Sequence, residues 1–493
     1  MPIPGLAWLF VEVETDEGIT GLGECTDYAV NGHLVRGLEA IKPLVIGSDP
    51  KNIEEIWQRI FHVNSDLNGR GYISHLISAI DIALWDIKGK VLGAPIYDLL
   101  GGPVHESVPL YTHVRDLSYG QGIDVLIQEA KLTVEAGYEA IKTDPFPNRR
   151  TMGATHYGAN MVERMEPKAI ADAVEWMEAL RETVGPNYEI LVDAHARMDV
   201  ASAIKAANAI EHVDLVWFEE PTHVENHNSL RQIRENTSVP LCVGERHFTR
   251  WDYDEILRNR LVDYIMPDIA WCGGISEIRR IASMAETQYI RVSPHDALGP
   301  VAIAASFQAS IAIPNLYREE CLHTWFETFK KIITPMFDIR NGSIFPNGRP
   351  GLGIELIPEA IDEFKIDVDS PEAQPGCPVG RDQERRSTDR LHRPRPVQLQ
   401  GPEGNGQGQL LRHPQRNPRH RGADEAPLHL RGGRGANRHE PFRRGRLHQP
   451  GQDVRHVPSK GNRGRGERRR PRRLEEGRQI DDQRRNPPDE HGL

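Results

Sequence analysis

The chain has 493 residues, more than one hydrophobic core usually supports, so two folded units plus further segments are expected. With 38% hydrophobic and 27% charged residues it has a globular makeup, and a net charge of −11 argues against nucleic acid as its main partner. No run approaches the roughly 18 apolar residues of a membrane helix, no secretory leader opens the chain, and no membrane partner is expected. Five scattered cysteines (Cys25, Cys242, Cys272, Cys321, Cys377) form no C-x-x-C pair, which excludes a disulfide framework or structural zinc and fits a reducing cytoplasm.

In chain order, residues 8–14 (WLFVEVE) read as a strand and 18–24 (GITGLGE) as its hairpin partner. Between 74 and 91, Leu76, Ile77, Ile80, Ala83, Leu84 and Ile87 recur at helical spacing, and Gly93-Ala94-Pro95 ends the run. Residues 1–105 thus read as a small α+β domain. From Val108 the pattern becomes short apolar runs followed by amphipathic helices, with strands at 138–142, 190–193, 215–219, 241–245, 265–268 and 290–293. Their number and spacing favour an α/β fold of the eight-stranded barrel type over residues 106–345, with chemistry at the C-terminal strand ends. Residues 346–373 read as a segment returning to the first domain. Residues 374–493 are rich in Arg, Gly, Pro, Gln and His without apolar periodicity, and read as a basic, low-complexity, disordered tail.

Three carboxylates, Asp193, Glu219 and Glu245, end predicted strands about 26 residues apart, the length of one βα unit. Neighbouring strands of a barrel would converge them at its mouth as three hard oxygen ligands, the donors that suit Mg²⁺. His195 lies two residues past Asp193, so an extended strand would place both on the inner face. By the same alternation Glu220 points outward. The next strand ends carry Asp268 and His295, and a carboxylate bonded to one imidazole nitrogen leaves the other free to take a proton. Glu320 follows at the same interval as a group that hydrogen-bonds a developing oxyanion, with Glu319 as the competing choice.

These features occur in a series of longer motifs: GITGLGE at 18–24, SAIDIALWDIKGK at 78–90, FEEP at 218–221, GERHFTRWDY at 244–253, PDIAWCGG at 267–274, PHDALGP at 294–300 and PGLGIE at 350–355. In that order, across residues 8–364, they resemble the enolase superfamily, mandelate racemase/muconate lactonizing branch, and most closely its D-galactonate dehydratase group. The resemblance implies an N-terminal capping domain over a modified (β/α) barrel, Mg²⁺ held by Asp193, Glu219 and Glu245, and proton transfer by His195 and by His295 with Asp268. It also implies a sugar-acid hydro-lyase: His295 removes the C2 proton of an aldonate such as galactonate, the metal stabilises the enediolate, and His195 protonates the departing 3-hydroxyl to give a 2-keto-3-deoxy acid.

Racemase-type members carry two lysines where this chain has Lys142 and Asp144, which favours dehydration. An acid-sugar cycloisomerase or epimerase, or a catalytically silent member keeping the fold, are the competing readings. Substrate contacts are expected from Lys142, Asp144, Arg70, Arg246 and His247, and from capping loops at 27–33 and 62–72. His247 stands where an apolar residue is usual. Only seven residues precede Trp8, so the capping sheet is expected to lack a strand, and the barrel helices are expected to pack into a homo-oligomer.

Overall fold

The computed structural model describes residues 7–27, 31–67, 70–114, 122–146 and 164–365. Residues 1–6, parts of both capping loops and the whole tail from 374 lie outside them. Strands β1 (Phe10–Glu14) and β2 (Thr20–Glu24) pair antiparallel, with Phe10 opposite Glu24 and Glu14 opposite Thr20. Helices α1 (Asn31–Val45), α2 (Ile53–Val63) and α3 (Tyr72–Leu92) complete the cap. The glycines of GITGLGE have a packing cause. A Cβ on Gly21 would fall 2.1 Å from the Ala83 carbonyl oxygen and one on Gly23 1.9 Å from that of Ala79, so β2 lies backbone to backbone on α3.

A short α4 (Ile96–Leu99) leads into the barrel. Its strands and helices alternate as β3 (Val108–His113), α5 (Ile123–Glu135), β4 (Ala140–Thr143), α6 (Pro167–Val184), β5 (Glu189–Asp193), α7 (Val200–Ile210), β6 (Trp217–Glu219) and α8 (His227–Arg234). The series continues with β7 (Leu241–Val243), α9 (Thr249–Arg258), β8 (Tyr264–Ile265), α10 (Gly274–Glu286), β9 (Arg291–Val292), α11 (Pro300–Ser310) and β10 (Glu319–Glu320). Neighbours from β3 to β9 pair in parallel; β10 pairs with β3, and a Val292–Leu316 bridge joins β9 to the segment before β10, closing the ring. After α12 (Phe326–Ile332) and β11 (Ile333–Thr334), the hairpin β12 (Asp338–Arg340) and β13 (Ser343–Phe345) adds antiparallel to β3. Then β14 (Glu355–Leu356) pairs with β11 and α13 (Pro358–Phe364) follows.

The pleat sorts the barrel interior into layers. Tyr111, Ala140, Leu191, Trp217, Cys242 and Met266 pack together as an apolar plug. Two residues further along the same segments stand His113, Lys142, Asp193, Glu219 and Asp268, so a polar layer sits directly above the plug at the mouth.

Cap and barrel are joined through buried carboxylates. Glu24, at the end of β2, accepts from the Gly299 and Ala302 amides at the start of α11, each at 2.8 Å, and from the Thr26 hydroxyl at 2.6 Å. Asp81 of α3 accepts from the Ser276 amide in the first turn of α10 at 2.9 Å. At both positions a carboxyl group accepts from the free amides at the positive end of a helix. Asp86 ties the Leu22 and Leu352 amides together at 3.0 and 2.9 Å.

Several predicted strands are longer than those observed. Glu245, Asp268 and Ser293 lie past the hydrogen-bonded ladders of β7, β8 and β9. His195 is the consequential case. It was expected on an extended strand, but β5 stops at Asp193 and both His195 and Ala196 have left-handed backbones, with φ of 49° and 56°. The cause is local: the Asp193 carboxylate accepts the His195 amide at 2.7 Å and turns the chain.

Candidate active site

Asp193, Glu219 and Glu245 meet at the barrel mouth, each offering an oxygen that lies within 4.8 Å of the other two. All three are buried. Trp217 Nε1 fixes one Glu219 oxygen at 2.9 Å, and Lys142 Nζ reaches the other at 2.8 Å. Burial and then the Asp193 charge push the Glu219 carboxyl well above its ordinary range. Burial likewise opposes ionisation of Asp193, yet His195, Lys142 and Arg246 hold its carboxyl below that range. Crowded, desolvated carboxylates of this kind are relieved by a divalent cation, and the all-oxygen donor set fits a hard one.

His295 is held between carboxylates. Its Nδ1 contacts Asp268 at 2.6 Å, while Nε2 lies 3.0 Å from Glu245 and 3.8 Å from Glu320. Burial disfavours the charged ring, but Glu320 and the Asp268 hydrogen bond outweigh it and raise His295 above an ordinary histidine. The register explains the pairing, because Asp268 and His295 form a parallel β-bridge just beyond β8 and β9. On the other side of the carboxylate group, His195 Nε2 lies 3.3 Å from Asp193 and Nδ1 contacts Asp144 at 2.8 Å.

Glu320 is buried and faces inward with Lys142 Nζ at 2.9 Å; His113 Nε2 also contacts it. Burial opposes its charge, yet Lys142, His295 and His113 hold it well below the usual carboxylate range. Glu320 thus stands at the mouth among Lys142, His113 and His295, the position at which the sequence reading expected an oxyanion-stabilising group. Lys142 is the cation there: burial opposes its charge, but Glu219 and Glu320 raise it well above a free lysine. Glu319, the competing choice, is buried elsewhere, near Ser306 and Ser310 of α11, and burial lifts its carboxyl to about 8.

The expected substrate contacts divide. Lys142 joins the carboxylates. Arg246 pairs with Glu245. Asp144 is already engaged, by His195, by Arg197 and by the Phe146 amide at 3.0 Å. Arg70 pairs with Asp252 of α9 at the rim. His247 is buried, with neither ring nitrogen hydrogen-bonded, and its ring centroid lies 5.6 Å from that of Tyr253. Burial lowers it to about 3, so the neutral ring fills its site much as an apolar side chain would.

Sequence reasoning missed His113, Arg197 and Glu24. His113 was discoverable, since it stands opposite Lys142 in the β3–β4 register at an equivalent strand end. Arg197 enters the site only because the chain turns at His195, and Glu24 acts through a helix far away in sequence.

Comparison with known proteins agrees with this architecture. The family model described as mandelate racemase/muconate lactonizing enzyme, N-terminal domain, matches residues 6–101, and the one described as enolase C-terminal domain-like matches 125–360. A D-galactonate dehydratase family member of Streptomyces bingchenggensis is 34% identical over 376 residues, covering 72% of this chain and 88% of the relative. A D-mannonate dehydratase of a Sphingomonas species is 32% identical, covering 72% and 90%. Among solved structures, a member of the enolase superfamily from Salmonella Typhimurium superposes with a TM-score of 0.67 at 32% identity, covering 73% of this chain and 96% of the other. A mandelate racemase/muconate lactonizing enzyme-like protein from a Roseovarius species gives 0.65 at 30%, covering 72% and 89%. The chain belongs to the mandelate racemase/muconate lactonizing enzyme branch of the enolase superfamily.

Proposed function

We propose that this protein is a Mg²⁺-dependent sugar-acid dehydratase, a hydro-lyase acting on an aldonate of the galactonate or mannonate type. The observation that carries the reading is one imidazole on each side of a buried three-carboxylate group, each with its own carboxylate partner. Asp193, Glu219 and Glu245 would hold the metal, which when bound supplies Lewis acidity toward the substrate carboxylate.

His295 removes the C2 proton with its Nε2. Asp268 holds the opposite nitrogen and stabilises the ring as it becomes charged. Lys142, kept charged by Glu219 and Glu320, supplies a fixed positive charge beside the group where negative charge develops. His195 gives its proton to the leaving 3-hydroxyl. Racemase-type members place a second lysine two residues after the first to exchange a proton on the other face of C2; here that position is Asp144, engaged by His195 and Arg197, which supports elimination. The buried, unbridged Cys25, Cys242, Cys272 and Cys321 support a reducing compartment such as the cytoplasm.

The test is incubation of the Mg²⁺-loaded full chain with a panel of aldonic and aldaric acids, followed by semicarbazide detection of 2-keto product. Accumulation from at least one acid is expected. A panel giving only C2 epimers would replace dehydration with epimerisation.

A further inference from the structure

Behind His195 stands a buried arginine that the reaction scheme does not use. Arg197 is 4% exposed, and its Nη2 spans both oxygens of Asp144 at 2.6 and 2.5 Å. Its Nε meets the Ala194 carbonyl at 3.2 Å, so the guanidinium is anchored to the turn that carries His195. Asp144 in turn contacts His195 Nδ1 at 2.8 Å, and the Phe146 amide supports the carboxylate from behind. The result is a line of three groups, Arg197, Asp144 and His195, drawn from the end of β4 and the turn after β5. Its last member presents Nε2 toward Asp193.

We propose that Arg197 is a positioning residue for His195: through Asp144 it fixes the imidazole with Nδ1 turned away from the carboxylate group and Nε2 turned toward it. This rests on the dehydratase reading for its catalytic meaning, though the positioning itself is a statement about geometry. The physical argument is one of constraint. Asp144 as an anion only accepts hydrogen bonds, so it dictates that the shared proton sits on His195 Nδ1. A lone buried aspartate would rotate, be protonated, or draw in water. A guanidinium held by a second contact to the backbone denies it each of these. The left-handed backbone of His195 gives the ring no support from a strand ladder, and this side-chain line holds its Nδ1 edge. The same residue pattern gives Asp144 a role other than touching substrate.

Three variants test the proposal in the full chain. Arg197→Lys keeps the charge but not the planar grip. Asp144→Asn can turn its amide N–H toward Nδ1 and select the other tautomer. The double variant Arg197→Met with Asp144→Asn removes the buried charge together with its partner, which guards against failure to fold. Crystal structures are the first readout: the His195 ring is expected to leave its position in Arg197→Lys and in the double variant while Asp193, Glu219 and Glu245 stay in place. Kinetics are the second: kcat is expected to fall about 10–100-fold with little change in KM, and the losses of the two single variants should not add. A His195 ring unmoved in both structures would overturn the proposal. So would a kcat loss in the double variant equal to the product of the losses of Asp144→Asn and of Arg197→Met made alone to complete the cycle. If the wild-type chain dehydrates no acid, the dehydratase reading fails while the ring position still decides this one.

Discussion

His195 and His295 carry the same side chain in different surroundings, which suit them to the different tasks of the proposed reaction. His295 is pinned by Asp268 and faces two carboxylates, which raises its proton affinity; a base must be neutral to act, so kcat/KM is expected to fall as pH drops through a value above the ordinary histidine pKa of about 6.5. A pH profile of kcat/KM measures that limb. The two rings are separable by isotope. With substrate in D₂O, His295→Gln should abolish deuterium uptake at C2, whereas His195→Gln should retain uptake and lose dehydration, each variant reducing turnover by about 10²–10⁴-fold. Uptake that survives in His295→Gln would reassign the base. Much of this was legible from spacing, because side chains at successive strand ends of a barrel must converge. The Asp268–His295 pair follows from register alone. The placement of His195 was legible but its conformation was not, since a turn set by the Asp193 carboxylate overrides strand alternation. Arg197 is hidden for the same reason.

The short strands, α3 and the β1–β2 hairpin announce themselves through apolar runs and glycine punctuation. Helices α1 and α2 carry the helical spacing, in Leu34, Leu38, Ile41 and Val45 and in Ile53, Ile56, Trp57 and Ile60, but weak end signals: α1 contains Pro43 and has no acidic first turn, and Asn52 ahead of α2 makes no capping hydrogen bond. Tertiary burial of their apolar faces supplies what local signals lack. The strands β12 and β13 have three residues each, too short for the alternation around Ile339 and Ile344 to be read as a strand signal. At this scale two predictions follow from how the cap is attached. Glu24 and Asp81 are each raised by burial to about 7, despite the amides they accept from. A carboxyl whose pKa is higher in the folded chain than in the unfolded one contributes stability at low pH that is lost as pH rises through its folded value. Between about pH 4 and 7 these groups should therefore lower Tm as pH rises, and Glu24→Gln with Asp81→Asn should flatten the slope in scanning calorimetry. Gly23→Ala forces a methyl group against the Ala79 carbonyl of α3 and should cost about 1–3 kcal/mol in denaturant unfolding.

For the molecule as a whole, metal binding and folding should be linked. Mg²⁺ at about 100 times its Kd is expected to add about 2.7 kcal/mol of stability, seen as a rise in Tm that Asp193→Asn removes. The family models end at residue 360, and the curated relatives named above are matched over 88% and 90% of their lengths by 72% of this chain. A chain ending at residue 373 should therefore keep both its turnover and its metal-induced rise in Tm; loss of either would give the remaining residues a part in folding or catalysis. The attachment of the cap also bears on inheritance. Glu24 and Asp81 seat on the helices that follow the strands leading to His295 and Asp268, so the cap is keyed to the part of the barrel that carries the proposed base. Exchange of caps between relatives, in evolution or by recombination in the laboratory, is then restricted to parents that share both locks. A chimera mismatched at either one would bring an intact catalytic barrel and an intact cap together without a joint.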